Sequence, residues 1–232
     1  MSWIEHTYPD TSALVTQVSR IFEEAARQAI AQRGRAFFSL AGGRTPLPIY
    51  AYLANAGLNG PVLAVPGDDR CVPHDHAACN WRNLRDAFYT DPQIQVQPLT
   101  TADGASEASL TQSQHFLAQH PEAFDAVLIG MGADGHFASL FPGAANLQQG
   151  LAGDSGLAVI ATTPNPLPPE APFSRISLTL PRLLHAREVH VVVTGQDKYS
   201  ILQQAKQDAG APYPIATLLH ASPIPVHIHW SP

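Results

Sequence analysis

The run Gly130-Met131-Gly132-Ala133-Asp134-Gly135-His136 sets a carboxylate and an imidazole two residues apart, directly behind the apolar stretch Ala126-Val127-Leu128-Ile129. Imidazole titrates near neutral pH, and a nearby carboxylate can fix its tautomer. His136 with Asp134 is therefore a candidate acid/base pair, and a histidine that merely hydrogen-bonds its own loop is an equal reading of the same spacing. The run also matches G-x-G-x-x-G. A dinucleotide turn needs a long helix after the third glycine and a strand ending in an acidic residue about 20 positions on. Here Pro142-Gly143 halts any helix, and Asp154 stands in a Gly-rich stretch with no strand before it. A nucleotide site is not expected.

A second candidate is Ala41-Gly42-Gly43-Arg44-Thr45-Pro46, between an apolar run and a helical pattern. Glycines allow close approach of backbone to ligand, and amides at a helix start attract anions. Phosphate binding and an ordinary tight turn capped by Thr45 are both open from this loop alone. The spacing of Cys71, His74, His76 and Cys79 suggests zinc at first sight. One short loop seldom wraps a tetrahedron, and Pro73 stiffens this one, so reduced thiols and no metal are expected. His227 and His229 share one face of a strand, read as a solvated edge. No serine sits in a G-x-S-x-G elbow and neither cysteine has a nucleophile signature, which favours water as the nucleophile.

These residues need a scaffold. Leu14, Val18, Ile21, Ala25 and Ala29 recur at helical spacing behind the candidate caps Thr11 and Ser12. Ala36–Leu40, Val62–Val65, Ala126–Ile129, Leu157–Ala161, Ile176–Leu180, Val189–Val193 and Val226–Ile228 read as strands. Helices are predicted from Thr45-Pro46 onward and around Trp81–Phe88, Glu107–Gln119 and Lys198–Gln207. Such alternation implies an α/β fold, a mostly parallel sheet with helices on both faces, in one domain spanning 1–232. Ligands then sit beyond the C-terminal strand ends, at the loops after Leu40, Val65, Ile129 and Val193. The proline-rich stretch 164–169 is read as a loop within that domain.

Composition narrows the partners. The formal charge of −6 and dispersed Lys and Arg argue against nucleic acid or a membrane surface. No stretch reads as a leader or a bilayer span, and two cysteines are too few for a disulfide scaffold. A cytoplasmic protein is expected, as a monomer or weak homodimer.

Together the motifs resemble the 6-phosphogluconolactonases, within the glucosamine-6-phosphate isomerase/deaminase superfamily. The carriers are Asp125–Gly143, Leu40–Pro46, Asp68-Asp69-Arg70-Cys71-Val72-Pro73 ending at Asn80, Arg175–Thr179 and Gly195–Lys198, so the resemblance spans about residues 36–200. It implies a Rossmann-like fold of the sugar-phosphate isomerase type. It further implies hydrolysis of 6-phospho-D-glucono-1,5-lactone to 6-phosphogluconate, in the oxidative pentose phosphate pathway, without cofactor. His136 would be the catalytic acid/base with Asp134 beside it. Gly43, Thr45, Arg175 and Lys198 would hold the phosphate, Arg70 would face the cleft, and Gly42 and Asp68 would complete the substrate-binding set. Amides near Gly132–Gly135 are expected to support the oxyanion. Departures from the pattern are Asp69 for glutamate, Pro66 for an aromatic, Ala78-Cys79 before Asn80, and the ending His229-Trp230-Ser231-Pro232. A deaminase or isomerase on the same fold would carry a glutamate after the histidine, absent from Phe137–Pro142. A non-catalytic sugar-phosphate sensor would need neither Asp134 nor His136.

Overall fold

A computed structural model describes residues 3–169 and 171–232. The chain runs through Trp3–Thr7 (β1), Thr11–Arg33 (α1), Ala36–Leu40 (β2), Leu47–Leu53 (α2), Val62–Pro66 (β3) and Asp68–Arg70 (β4). Asn80–Ala87 (α3), Ile94–Val96 (β5), Ser106–Gln119 (α4), Ala126–Gly130 (β6), Leu147–Leu151 (α5) and Val159–Thr162 (β7) follow. Arg175–Leu178 (β8), Leu180–Leu184 (α6), Val189–Thr194 (β9), Gln196–Gln207 (α7), Pro214–Ala221 (α8) and Val226–Ser231 (β10) complete it.

Seven strands form a sheet in the order β1-β10-β9-β6-β2-β3-β5, every neighbouring pair parallel. Its central strands are buried on both faces, which is why they read as unbroken apolar runs. Alternation along β2 sends Phe38 into the apolar cluster beneath α1, α2 and α3. Phe37 points the other way, into the cluster shared with α6, α7 and α8. This is the α/β architecture expected. Among the described residues no helix is long and apolar enough to cross a membrane.

Four local readings are corrected. The segments around Leu157–Ala161 and Ile176–Leu180 are strands, but β7 and β8 join β4 in a separate antiparallel sheet of order β4-β8-β7. Buried strands look alike in sequence whichever sheet they enter. The cap of α1 is Asp10, whose Oδ1 accepts from the Ala13 amide at 2.7 Å, instead of Thr11 or Ser12. Thr45 caps nothing: α2 starts at Leu47, because Leu47 N–H closes a turn onto Arg44 O at 3.3 Å first. His229 is wholly buried and no edge residue, because β1 pairs along the outside of β10. That outer strand, Trp-Ile-Glu-His-Thr, lacks the alternation that would have marked it.

The topology fixes where a cleft must form. From β2 the chain steps outward to β3 and β5, whereas β6, β9 and β10 lie on the other side of β2. β2 and β6 pair only at Phe38 with Ala126 and Ser39 with Val127. Beyond that point the two strands separate, opening the switch-point crevice in which doubly wound folds place ligands.

Candidate active site

The crevice is a cleft of about 340 Å³. The loop after β2 supplies Gly42, Gly43, Arg44 and Thr45, strand β4 supplies Asp68 and Arg70, and the loop after β6 supplies His136. Arg175 enters from β8 and Lys198 from the first turn of α7. All seven residues expected to bind substrate (Gly42, Gly43, Thr45, Asp68, Arg70, Arg175 and Lys198) line this one space, though they span more than half the chain. Asp134 stands at its rim, lining an adjoining pocket that His136 shares.

Residues 131–137 close on themselves as a small hairpin. Gly132 N–H donates to His136 O at 2.9 Å, Gly135 N–H to Gly132 O at 3.1 Å, and Met131 bridges Phe137. Folded this way, the loop turns His136 back over Gly132. A Cβ at Gly132 would lie 2.2 Å from the imidazole, so only glycine leaves space for the ring. His136 Nδ1 meets Asp134 Oδ1 at 2.5 Å, and the His136 amide donates to the same oxygen at 3.2 Å. Burial works against the Asp134 carboxylate, but the hydrogen bond and charge of His136 outweigh it and hold its pKa below the usual range. An ionised carboxylate only accepts, so Nδ1 carries the proton, and in the neutral imidazole the free lone pair is that of Nε2. Phe141 stacks on the imidazole, centroids 4.0 Å apart and planes inclined 26°. The amides of Gly132, Gly135 and His136 are thus spent inside the loop, and of the run Gly132–Gly135 only those of Ala133 and Asp134 stand outside these bonds.

Each remaining wall has a structural tie. A Cβ on Gly42 would fall 2.3 Å from Asn80 Oδ1, whereas Gly43 holds a left-handed φ of 91° with open space beside it. Asn80 Nδ2 donates to Asp68 O at 2.8 Å. Asp68 Oδ2 accepts from the buried Ser139 hydroxyl at 2.5 Å, so Ser139 is committed to that carboxylate and faces no substrate. Asp69 organises the turn, accepting from the amides of Arg70, Asn80 and Trp81, and burial raises its pKa against those bonds. Aspartate where the family pattern has glutamate therefore serves the start of α3.

The cations differ in freedom. Arg70 donates through one Nη to Ala78 O at 2.7 Å. Arg175 is buried and gives Nε to Phe173 O at 3.1 Å and Nη2 to Ala171 O at 2.9 Å. Its guanidinium is thereby partly engaged in holding the end of the proline-rich segment. Lys198 is half-buried and has no ion pair among the described residues. Arg44 is exposed at the mouth.

The Cys71–Cys79 loop sends its side chains apart. The Cys79 thiol, pushed up to about 11 by burial and then by Asp69, sits under the Arg82 amide as the cap of α3. His74 packs tilted against Trp81, centroids 4.3 Å apart, and bonds Thr100 O, and His76 accepts from the Ala78 amide. Two features of the site went unread in the sequence: the Asn80–Gly42 contact and the Phe141 stack. Neither follows any period, since both depend on loops meeting in space.

Comparisons with known proteins agree on one relationship. The profile described as "Glucosamine-6-phosphate isomerases/6-phosphogluconolactonase" matches residues 9–230. The 6-phosphogluconolactonase of Pseudomonas putida is 32% identical, over 98% of this chain and 92% of its own length. That of Neisseria meningitidis is 27% identical over 99% of both chains. The crystal structure of a 6-phosphogluconolactonase from Shewanella baltica superimposes with a TM-score of 0.89 at 27% identity, covering 100% of this chain and 98% of that one. A monomeric glucosamine-6-phosphate deaminase shares the fold, with a TM-score of 0.78 at 16% identity. A parallel sheet split at β2 and β6, a histidine–carboxylate pair at the split and a family profile along nearly the whole sequence place this chain in the glucosamine-6-phosphate isomerase/6-phosphogluconolactonase family.

Proposed function

We propose that the protein is a 6-phosphogluconolactonase, hydrolysing 6-phospho-D-glucono-1,5-lactone to 6-phosphogluconate. The observation that carries this reading is the His136–Asp134 pair at 2.5 Å, opening on a cleft that also holds Arg44, Arg70, Arg175 and Lys198. A phosphate monoester carries nearly two negative charges, which this set of cations suits. The names of the relatives point the same way.

His136 Nε2 takes a proton from water as the oxygen attacks C1 of the lactone. Asp134 keeps Nδ1 protonated and faces the imidazolium charge as it forms. The tetrahedral intermediate collapses with cleavage of the C1–ring oxygen bond, and Nε2 returns the proton to that oxygen. Gly43, Thr45, Arg175 and Lys198 hold the phosphate, Lys198 as its least committed cation, and Gly42 and Asp68 shape the sugar end with Arg70. A δ-lactone is a reactive ester, so no step calls for a metal or cofactor. On this reading the protein serves the oxidative pentose phosphate pathway in the cytoplasm.

The test is hydrolysis of freshly prepared phosphorylated lactone, corrected for spontaneous opening, against unphosphorylated gluconolactone. Preference for the phosphorylated lactone is expected, with a fall of roughly 10²–10⁴-fold in kcat for His136→Ala. Unaltered turnover in that variant, or release of ammonia from glucosamine 6-phosphate by the wild type, would sink the reading.

A further inference from the structure

We propose that Phe141 is a positioning residue for the reaction: its ring face sets the plane of the His136 imidazole and favours the imidazolium that forms during turnover. The inference rests on His136 being the acid/base of the preceding section. A single hydrogen bond from Nδ1 to Asp134 fixes one point of the ring and leaves rotation about that axis. The Phe141 face, 4.0 Å away and only 26° from parallel, removes that rotation. The ring also lies close over the Gly132 backbone, where a Cβ would come within 2.2 Å of Nδ1 and Cε1.

Phe141 is itself confined. Its side chain is 8% exposed, and the Arg175 guanidinium carbon lies 5.6 Å from its centroid. Arg175 in turn is tied to Phe173 O and Ala171 O, so ring, guanidinium and loop end form one packed unit. An aromatic face attracts a cation more than the neutral heterocycle. It therefore gains strength as His136 takes up its proton, which is when the reaction needs it. The charged groups sharing the space around His136 are Asp134, Asp68, Arg44, Arg70, Arg175 and Lys198. All are retained when Phe141 alone is changed, so a change in pH dependence reports the ring.

The experiment compares Phe141→Leu with Phe141→Tyr in the intact protein, using the phosphorylated lactone and recording kcat, KM and the pH profile of kcat/KM. For Phe141→Leu, kcat falls about tenfold, KM stays within about twofold, and the acid limb of the profile moves down by about half a pH unit. Phe141→Tyr, which keeps the face, restores both. Wild-type kcat with an unmoved limb in Phe141→Leu overturns the proposal, as does a tyrosine variant as impaired as the leucine one. Phe141→Met, with similar volume and no ring, replaces Phe141→Leu if the latter does not fold. His136→Ala separates the two readings. Activity in that variant removes the acid/base assignment, whereas its inactivity beside a normal Phe141→Leu removes this inference alone.

Discussion

At the scale of single residues, the site depends on absence as much as on presence. His136 folds back over a position where any side chain would collide with it at 2.2 Å. Gly132→Ala is therefore expected to displace the imidazole and lose most of kcat, while the denaturation midpoint moves little because the loop is at the surface. Steady-state kinetics with circular dichroism checks this, and a fully active alanine variant would show that the ring need not occupy its observed place. The phosphate end behaves differently. Lys198 has no ion pair among the described residues, so Lys198→Ala should raise KM for the phosphorylated lactone about tenfold or more and leave hydrolysis of the unphosphorylated one unchanged. An equal loss on both substrates would place Lys198 elsewhere in the chemistry.

At the scale of elements, the long helix α1 shares one face of the sheet with α2 and α3. Leu14, Val18, Phe22, Ala26 and Ala29 form its buried stripe, and Phe22 meets Phe38 of β2 edge-on at 5.4 Å. Both ends are specified. Asp10 accepts from Ala13 N–H at the start, and Gly34, at φ 77°, donates to Ile30 O at 2.8 Å at the end. Asp10→Ala should cost about 1 kcal/mol of unfolding free energy, and Gly34→Ala about 1–2 kcal/mol through the left-handed conformation. Urea denaturation measures both. Neither should alter KM, because α1 sits away from the C-terminal strand ends that carry the site.

At the scale of the whole molecule, the sheet carries a feature unrelated to the cleft. His6 of β1, His190 of β9 and His227 and His229 of β10 lie together under α1, with His229 between Tyr8 Oη at 2.9 Å and His190 Nδ1 at 3.1 Å. Burial, reinforced by the neighbouring histidines, lowers the pKa of His229 to about 2, and it lowers those of His6 and His227 as well. His229 stays neutral in the native protein until pH nears 2, while an unfolded histidine takes up its proton near pH 6.5. Below that pH the unfolded state binds more protons, so stability falls as pH drops, by about 1.4 kcal/mol per pH unit for His229 alone until pH nears 2. Urea midpoints between pH 7 and 5 should show this decline, and His229→Gln should flatten it. A slope unchanged by that substitution would assign the acid sensitivity to the carboxylates.

The sequence by itself determined the fold class, because strands buried on both faces must be unbroken apolar runs and amphipathic helices must repeat every three to four residues. It also put Asp134 and His136 on offer by type and spacing, and set Arg175 and Lys198 in segments whose resemblance to the family implied their part. Tertiary structure alone decided which sheet β7 and β8 entered, since a buried strand carries no mark of its partner. It alone covered His229, because the edge position was taken by β1, a strand of mixed polarity whose residues pair with partners 223 positions on. And it alone brought Phe141 onto His136 and Asn80 against Gly42, contacts made between loops whose meeting depends on β2 and β6 parting at the switch point.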